Sequence, residues 1–184
     1  MKYLIVSDIF GRTSALEKFA QSVKGLAACQ IISPYDNIQF SSETEAYCYF
    51  NQNVGLESYY QALKARIKEI KQPFKLIGFS VGASICWQYI ASCTNPYLVK
   101  SELFYGSQIR NMHMLSPLSP VRLILPKFEP HFSIDEHILA LKEKSDISIE
   151  RSECLHGFMN QLSTNFDFKA YQYYVSVLSK KHLR

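Results

Sequence analysis

Ser80, Glu129 and His156 are the residues whose types and order could do nucleophilic chemistry. A serine hydroxyl is a weak nucleophile until a base takes its proton, and an imidazole needs a carboxylate to fix its tautomer and stabilise its charged form. Ser80 stands in Gly78-Phe79-Ser80-Val81-Gly82, a Gly-x-Ser-x-Gly pentapeptide. Such an elbow holds the hydroxyl at a sheet edge, with glycines that let helix and strand approach without a Cβ clash. The next backbone N–H, on Val81, would point at negative charge developing on an attacked carbonyl. Each part has a plainer reading: a strand-to-helix turn, a surface acid, a satisfied loop histidine. The order joins them, because acid and then histidine each follow a strand downstream of the serine. His131 and Asp135 are the nearby rivals for the base and acid roles.

The elements that must hold these groups read as an alternation of strands and helices. Phe74, Leu76 and Ile77 form a short buried strand, and Ile85, Cys86, Tyr89 and Ile90 recur at helical spacing after the serine. Upstream, residues 3–6 are a near-continuous apolar run and 26–32 a second strand. Between them the chain predicts a helix over 14–24, with Ser14 and Glu17 at capping-box spacing. Residues 35–54 show little periodicity and read as a loop with a short helix near 44–50. After Gly55, Leu56, Tyr60, Leu63, Ile67 and Ile70 share one helical face, and Pro73 closes it. Strands follow over 97–105, 121–125 and 147–150, the last alternating like an edge strand, with 107–120 read as loop. Ser133 and Glu136 cap a helix with Ile134, Ile138 and Leu141 inward, and a closing helix spans 167–181. The pattern predicts an α/β fold: one domain over 1–184, a small, mostly parallel sheet of six or seven strands, and helices on both faces.

The composition narrows the function classes. A chain of 184 residues with 47% hydrophobic and 20% charged residues supports one core, and its 12 Tyr and 12 Phe are expected mainly in it. The net charge of +4 lacks a dense basic block except the terminal Lys180-Lys181-His182-Leu183-Arg184, read as a solvated helix end, so no nucleic-acid partner is expected. No apolar run reaches membrane-spanning length, and the N-terminus turns polar too early for a signal peptide. Five dispersed cysteines read as free thiols in a reducing compartment, hence the cytoplasm. None of His113, His131, His137, His156 and His182 pairs with another ligand at metal-site spacing; His131, Asp135 and His137 come nearest and read as surface, so no metal is expected.

Several segments together resemble the dienelactone hydrolase family of the α/β-hydrolase superfamily. Asp8-Ile9-Phe10-Gly11 is similar to the family's Glu-Ile-Phe-Gly loop and the Ser80 pentapeptide to its nucleophile elbow. Phe104-Tyr105-Gly106 is similar to its Tyr-Tyr-Gly strand end, Phe128-Glu129 to its acid loop and His156-Gly157-Phe158 to its histidine box. The resemblance implies an α/β-hydrolase fold, hydrolysis of a lactone or ester without metal or organic cofactor, and an oxyanion hole built by the N–H groups of Ile9 and Val81. The family's cysteine nucleophile is Ser80 here, its aspartate Glu129, its loop glutamate Asp8 and its arginine after the histidine box Asn160.

The expected function is therefore a serine hydrolase that cleaves a small carboxylic ester or lactone through a Ser80–His156–Glu129 triad. Asp8, Phe10, Tyr35, Phe40, Tyr105, Met114 and Asn160 are candidate pocket residues. The competing reading is a non-catalytic protein of the same fold that binds a small molecule or partner. A nucleotide-binding module is disfavoured, because the turn after the first strand lacks the glycine triplet and the Lys-Ser/Thr signal.

Overall fold

The computed structural model describes residues 2–24 and 28–179. The first residues of the strand expected over 26–32 and the basic tail at 180–184 lie outside them. Six strands, β1 (Lys2–Val6), β2 (Cys29–Ile32), β3 (Phe74–Phe79), β4 (Leu98–Phe104), β5 (Val121–Leu125) and β6 (Ile147–Arg151), form one sheet in the order β2-β1-β3-β4-β5-β6. Every pairing is parallel. Leu4, Ile5, Val6, Leu76 and Ile77 are wholly buried, as the apolar runs of β1 and β3 require of strands covered on both sides. β6 pairs on one side only and is half-exposed, as its alternation predicts.

The helices divide between the two faces. α1 (Ser14–Lys24) and α6 (Phe168–Ser179) pack on one, burying Phe19, Val23, Tyr174 and Leu178 against Ile5, Ile77, Phe79 and Phe104. α2 (Glu43–Asn53), α3 (Gly55–Lys68), α4 (Val81–Ser92) and α5 (Ile134–Leu141) contribute to the larger cluster on the other. No described helix is long and apolar enough to cross a membrane.

Local detail departs from the expectations at four places. Ser14 does not cap α1; Thr13 does, its Oγ1 accepting the Leu16 N–H at 3.1 Å, because Ser14 is already the first helical residue. Glu17, freed from a capping box, bonds Arg12 at 2.9 Å. Residues 43–53 form a full three turns of helix with only Ala46 and Phe50 buried, so the apolar periodicity is too sparse to mark its length. The loop over 107–120 opens with a 3₁₀ segment, Ser107–Met112, pinned by buried Ile109. His137 is buried on the inner face of α5, not on the surface, and its Nδ1 lies 2.7 Å from His113 Nε2.

Candidate active site

The chain leaves β1 for β2 on one side and returns to β3 on the other, so the strand order reverses between β1 and β3. Crevices in open parallel sheets form at the carboxyl ends of the strands at such a switch point. Ile9 follows β1 and Ser80 follows β3, which places both beside that crevice.

Ser80 has φ 52° and ψ −116°, a left-handed conformation that a serine adopts only when its surroundings dictate it. They do so on both sides. Its N–H donates to the Phe104 carbonyl at 3.0 Å, and its own carbonyl accepts the Ser84 N–H at 3.1 Å in the first turn of α4. Gly82 lies so close to the carboxyl end of β1 that any Cβ there would strike the carbonyl oxygens of Ser7 and Val6. The strand, the sharp turn and the tightly seated helix therefore form one rigid unit with the hydroxyl at its tip.

The two other strand ends deliver the partners. His156 follows β6, and its Nε2 lies 3.0 Å from Ser80 Oγ. Glu129 follows β5 and is only 6% exposed, and its Oε1 lies 2.6 Å from His156 Nδ1. A carboxylate facing Nδ1 fixes the proton on that nitrogen, leaving Nε2 to accept from the serine. The histidine loop is itself held: Asn165 donates to the His156 carbonyl at 2.9 Å, and Gly157 takes φ 88° where a Cβ would meet Ser163. Glu129 reaches the imidazole from the loop after β5, and His131 and Asp135 do not take either position. His131 stays on the rim, and Asp135 pairs with Arg151 at 2.7 Å.

These groups open onto a cavity of about 360 Å³. Asp8, Ile9, Phe10, Val81, Tyr105 and Asn160 border it, so most of the expected site residues converge. Asp8 Oδ1 accepts the Phe10 N–H at 3.0 Å and its Oδ2 accepts from Asn160 at 2.7 Å, tying the loop after β1 to the histidine loop. Burial pushes the Asp8 carboxyl up to about 6, against the lowering effect of the Asn160 and Phe10 hydrogen bonds and of His156. The Tyr105 ring lies 4.9 Å from the His156 ring.

Three expected wall residues do not border the cavity. Tyr35 is buried behind it, where its hydroxyl donates to the Ile9 carbonyl and its ring packs edge-on to Phe40 at 5.2 Å. Tyr35 and Phe40 thus support the loop from outside. Met114 is 94% exposed, because a turn closed by the Leu115 N–H on the Met112 carbonyl directs Leu115 to the core and leaves Met114 in solvent. Conversely, Glu43, Arg110 and His131 also line the cavity. Arg110 sits in the 3₁₀ segment, its Nη1 donating to the Ser107 carbonyl at 2.9 Å and its guanidinium 5.2 Å from the Phe132 ring. Its place just after the strand end at Gly106 was the available signal.

No protein-family model matches the chain. It is 29% identical over 177 residues to the uncharacterized protein YczH of Bacillus subtilis (strain 168), covering 89% of this chain and 83% of that one. Among solved structures, it is similar to a putative dienelactone hydrolase from Klebsiella pneumoniae, with a TM-score of 0.66 at 15% identity over 98% of this chain and 87% of the other. A cold-adapted esterase from an Arctic intertidal metagenomic library gives a TM-score of 0.66 at 14% identity over 97% and 81%. A dienelactone hydrolase-like promiscuous phosphotriesterase from metagenomic libraries gives 0.63 at 13% over 97% and 85%. With a parallel sheet, helices on both faces and these likenesses along nearly its whole length, the chain has the α/β-hydrolase fold.

Proposed function

We propose that the protein is a serine hydrolase related to the dienelactone hydrolases, which cleaves a small carboxylic ester or lactone through an acyl-enzyme. The observation that carries this reading is the unbroken hydrogen-bonded series Ser80 Oγ, His156 Nε2, His156 Nδ1, Glu129 Oε1 at the mouth of the cavity. As Ser80 Oγ attacks the ester carbonyl carbon, its proton passes to His156 Nε2, and Glu129 stabilises the imidazolium. The N–H groups of Ile9 and Val81 hold the oxyanion. Collapse breaks the bond to the alcohol oxygen, which takes the proton from His156. Water then adds to the acyl carbon as His156 accepts its proton, and Ser80 departs with that proton, releasing the carboxylic acid; a lactone leaves as one hydroxy acid. Asp8 and Phe10 shape the oxyanion loop, Asn160 clasps it, and Tyr105 backs the histidine. The chain acts as one domain, with no metal or organic cofactor, on a small molecule and not on nucleic acid or membrane. The free thiols of Cys48, Cys86, Cys93 and Cys154 fit a cytoplasmic setting.

The test is intact-mass analysis after exposure to a small fluorophosphonate. One organophosphoryl group should add to the wild type and none to Ser80→Ala. A folded wild type left unlabelled across about pH 6 to 9 would overturn the reading in favour of a non-catalytic binding protein.

A further inference from the structure

The face of the sheet under α6 breaks the rule that interior parallel strands are apolar. Beyond the apolar cluster of Ile5, Ile77, Phe79 and Phe104, toward the amino ends of the strands, lies a groove of about 280 Å³ bordered by Tyr3, Lys75, Lys100, Glu102, Arg122 and Leu178. Lys75 and Lys100 are register partners on β3 and β4 and both face the groove. Like charges directly opposite each other destabilise a sheet.

The register of β4 produces this pairing. Phe74 pairs with Leu98 but Lys75 pairs with Lys100, so the ladder steps by one residue and Val99 is passed over. An unbroken register would set Val99 opposite Lys75 and turn Lys100 to the other face. An irregularity of this kind re-aims a side chain, and here it re-aims a second cation beside the first.

The other charges of the groove are already matched. Glu102, buried on β4, takes Lys100 at 2.9 Å and Arg122 at 3.4 Å. Arg122 also pairs with Glu150, whose Oε1 accepts the Tyr174 hydroxyl at 2.6 Å. Lys75 forms no ion pair among the described residues; its ammonium only overlies the Tyr3 ring, 5.9 Å from the centroid. Among the described residues one cation is thus left uncompensated beside the apolar surface of Tyr3, Ile77, Val177 and Leu178. We propose that this groove is a second ligand site, distinct from the Ser80 cavity, that takes a small organic monoanion: a carboxylate between Lys75 and Lys100 with a short apolar group along Tyr3 and Leu178. A single unmatched charge fits a carboxylate better than a phosphate dianion, and the mainly apolar wall calls for a hydrocarbon portion.

The experiment is an amide NMR titration of the full chain with hexanoate, with inorganic phosphate and hexanol as charge-only and tail-only probes. Hexanoate should shift the Lys75, Lys100 and Leu178 amides saturably, more tightly than either control, and Ser80→Ala should leave this binding unchanged. Lys75→Met should weaken it about ten-fold, the loss of one charge-assisted contact, without lowering the melting temperature, since a like-charge pair is relieved. Lys75→Gln serves the same purpose should the methionine variant fail to fold. Absence of saturable shifts at these amides up to about 10 mM hexanoate, equal binding by the Lys75 variants, or phosphate or hexanol binding as tightly as hexanoate would each overturn the proposal.

Discussion

At the scale of single residues, Glu129 is the most informative position. Its Oε1 meets His156 Nδ1 at 2.6 Å from a buried side chain, so the carboxylate can hold one tautomer and stabilise the imidazolium. Glu129→Gln keeps the size but presents an amide to Nδ1, and kcat on a short activated ester should fall by roughly 10³- to 10⁴-fold with KM little changed. Steady-state kinetics on an unaltered fold checks this; a loss below ten-fold would remove Glu129 from the proposed triad. Ser80, Glu129 and His156 were singled out by type and order, because each follows a stretch patterned as a strand, largely apolar before Ser80 and Glu129 and alternating before His156. Arg110 and Glu43 were not: Glu43 opens α2, whose sparse apolar face hid its length, and Arg110 sits in the 3₁₀ segment after β4, where the sequence carries no period. Met114 shows the converse: an apolar residue in a loop declares no direction.

At the scale of elements, the strands were the most legible parts because burial on both faces leaves apolar runs at 3–6 in β1, 76–77 in β3 and 123–125 in β5. Helix ends were less so. Thr13 and Ser14 are both acceptable caps by type, and only the backbone decides that Thr13 lies outside the helix. Thr13→Ala should cost about 1 kcal/mol in a urea melt while Ser14→Ala stays near neutral; equal costs would contradict this cap. The length of α2 was hidden because it buries only two residues. The joint between β3 and α4 is the strictest element. Gly82→Ala forces a methyl into the carbonyl oxygens at the end of β1, and backbone cannot yield as a side-chain tip can. We expect a loss of about 1–3 kcal/mol or more, with Ser80 displaced and labelling by a fluorophosphonate lost before the protein unfolds.

At the scale of the whole molecule, two titrating groups, the buried His137 and the partly buried Asp8, oppose one another in their effect on stability. Burial pushes His137 down from 6.5 to about 4, with His113 and Arg110 adding to the effect. A histidine held neutral in the fold contributes stability that is present above its unfolded pKa and is lost as pH falls from 6.5 through about 4. Asp8 runs the other way. Its carboxyl is raised from 3.8 to about 6, so its contribution is full below 3.8 and is lost as pH rises through about 6. Between about pH 4 and pH 6 the folded state holds a proton at Asp8 that the unfolded chain releases, and lacks one at His137 that the unfolded chain takes up. The two slopes offset each other. Asp8→Asn keeps an oxygen for the Phe10 N–H and removes the titration, so its melting temperature should fall more steeply than that of the wild type as pH drops through this window. His137→Leu should do the reverse and melt at higher temperature as pH falls from 6 toward 4. Calorimetry of the three proteins across that range checks both signs, and parallel curves for wild type and Asp8→Asn would mean that Asp8 does not take up its proton in the folded state.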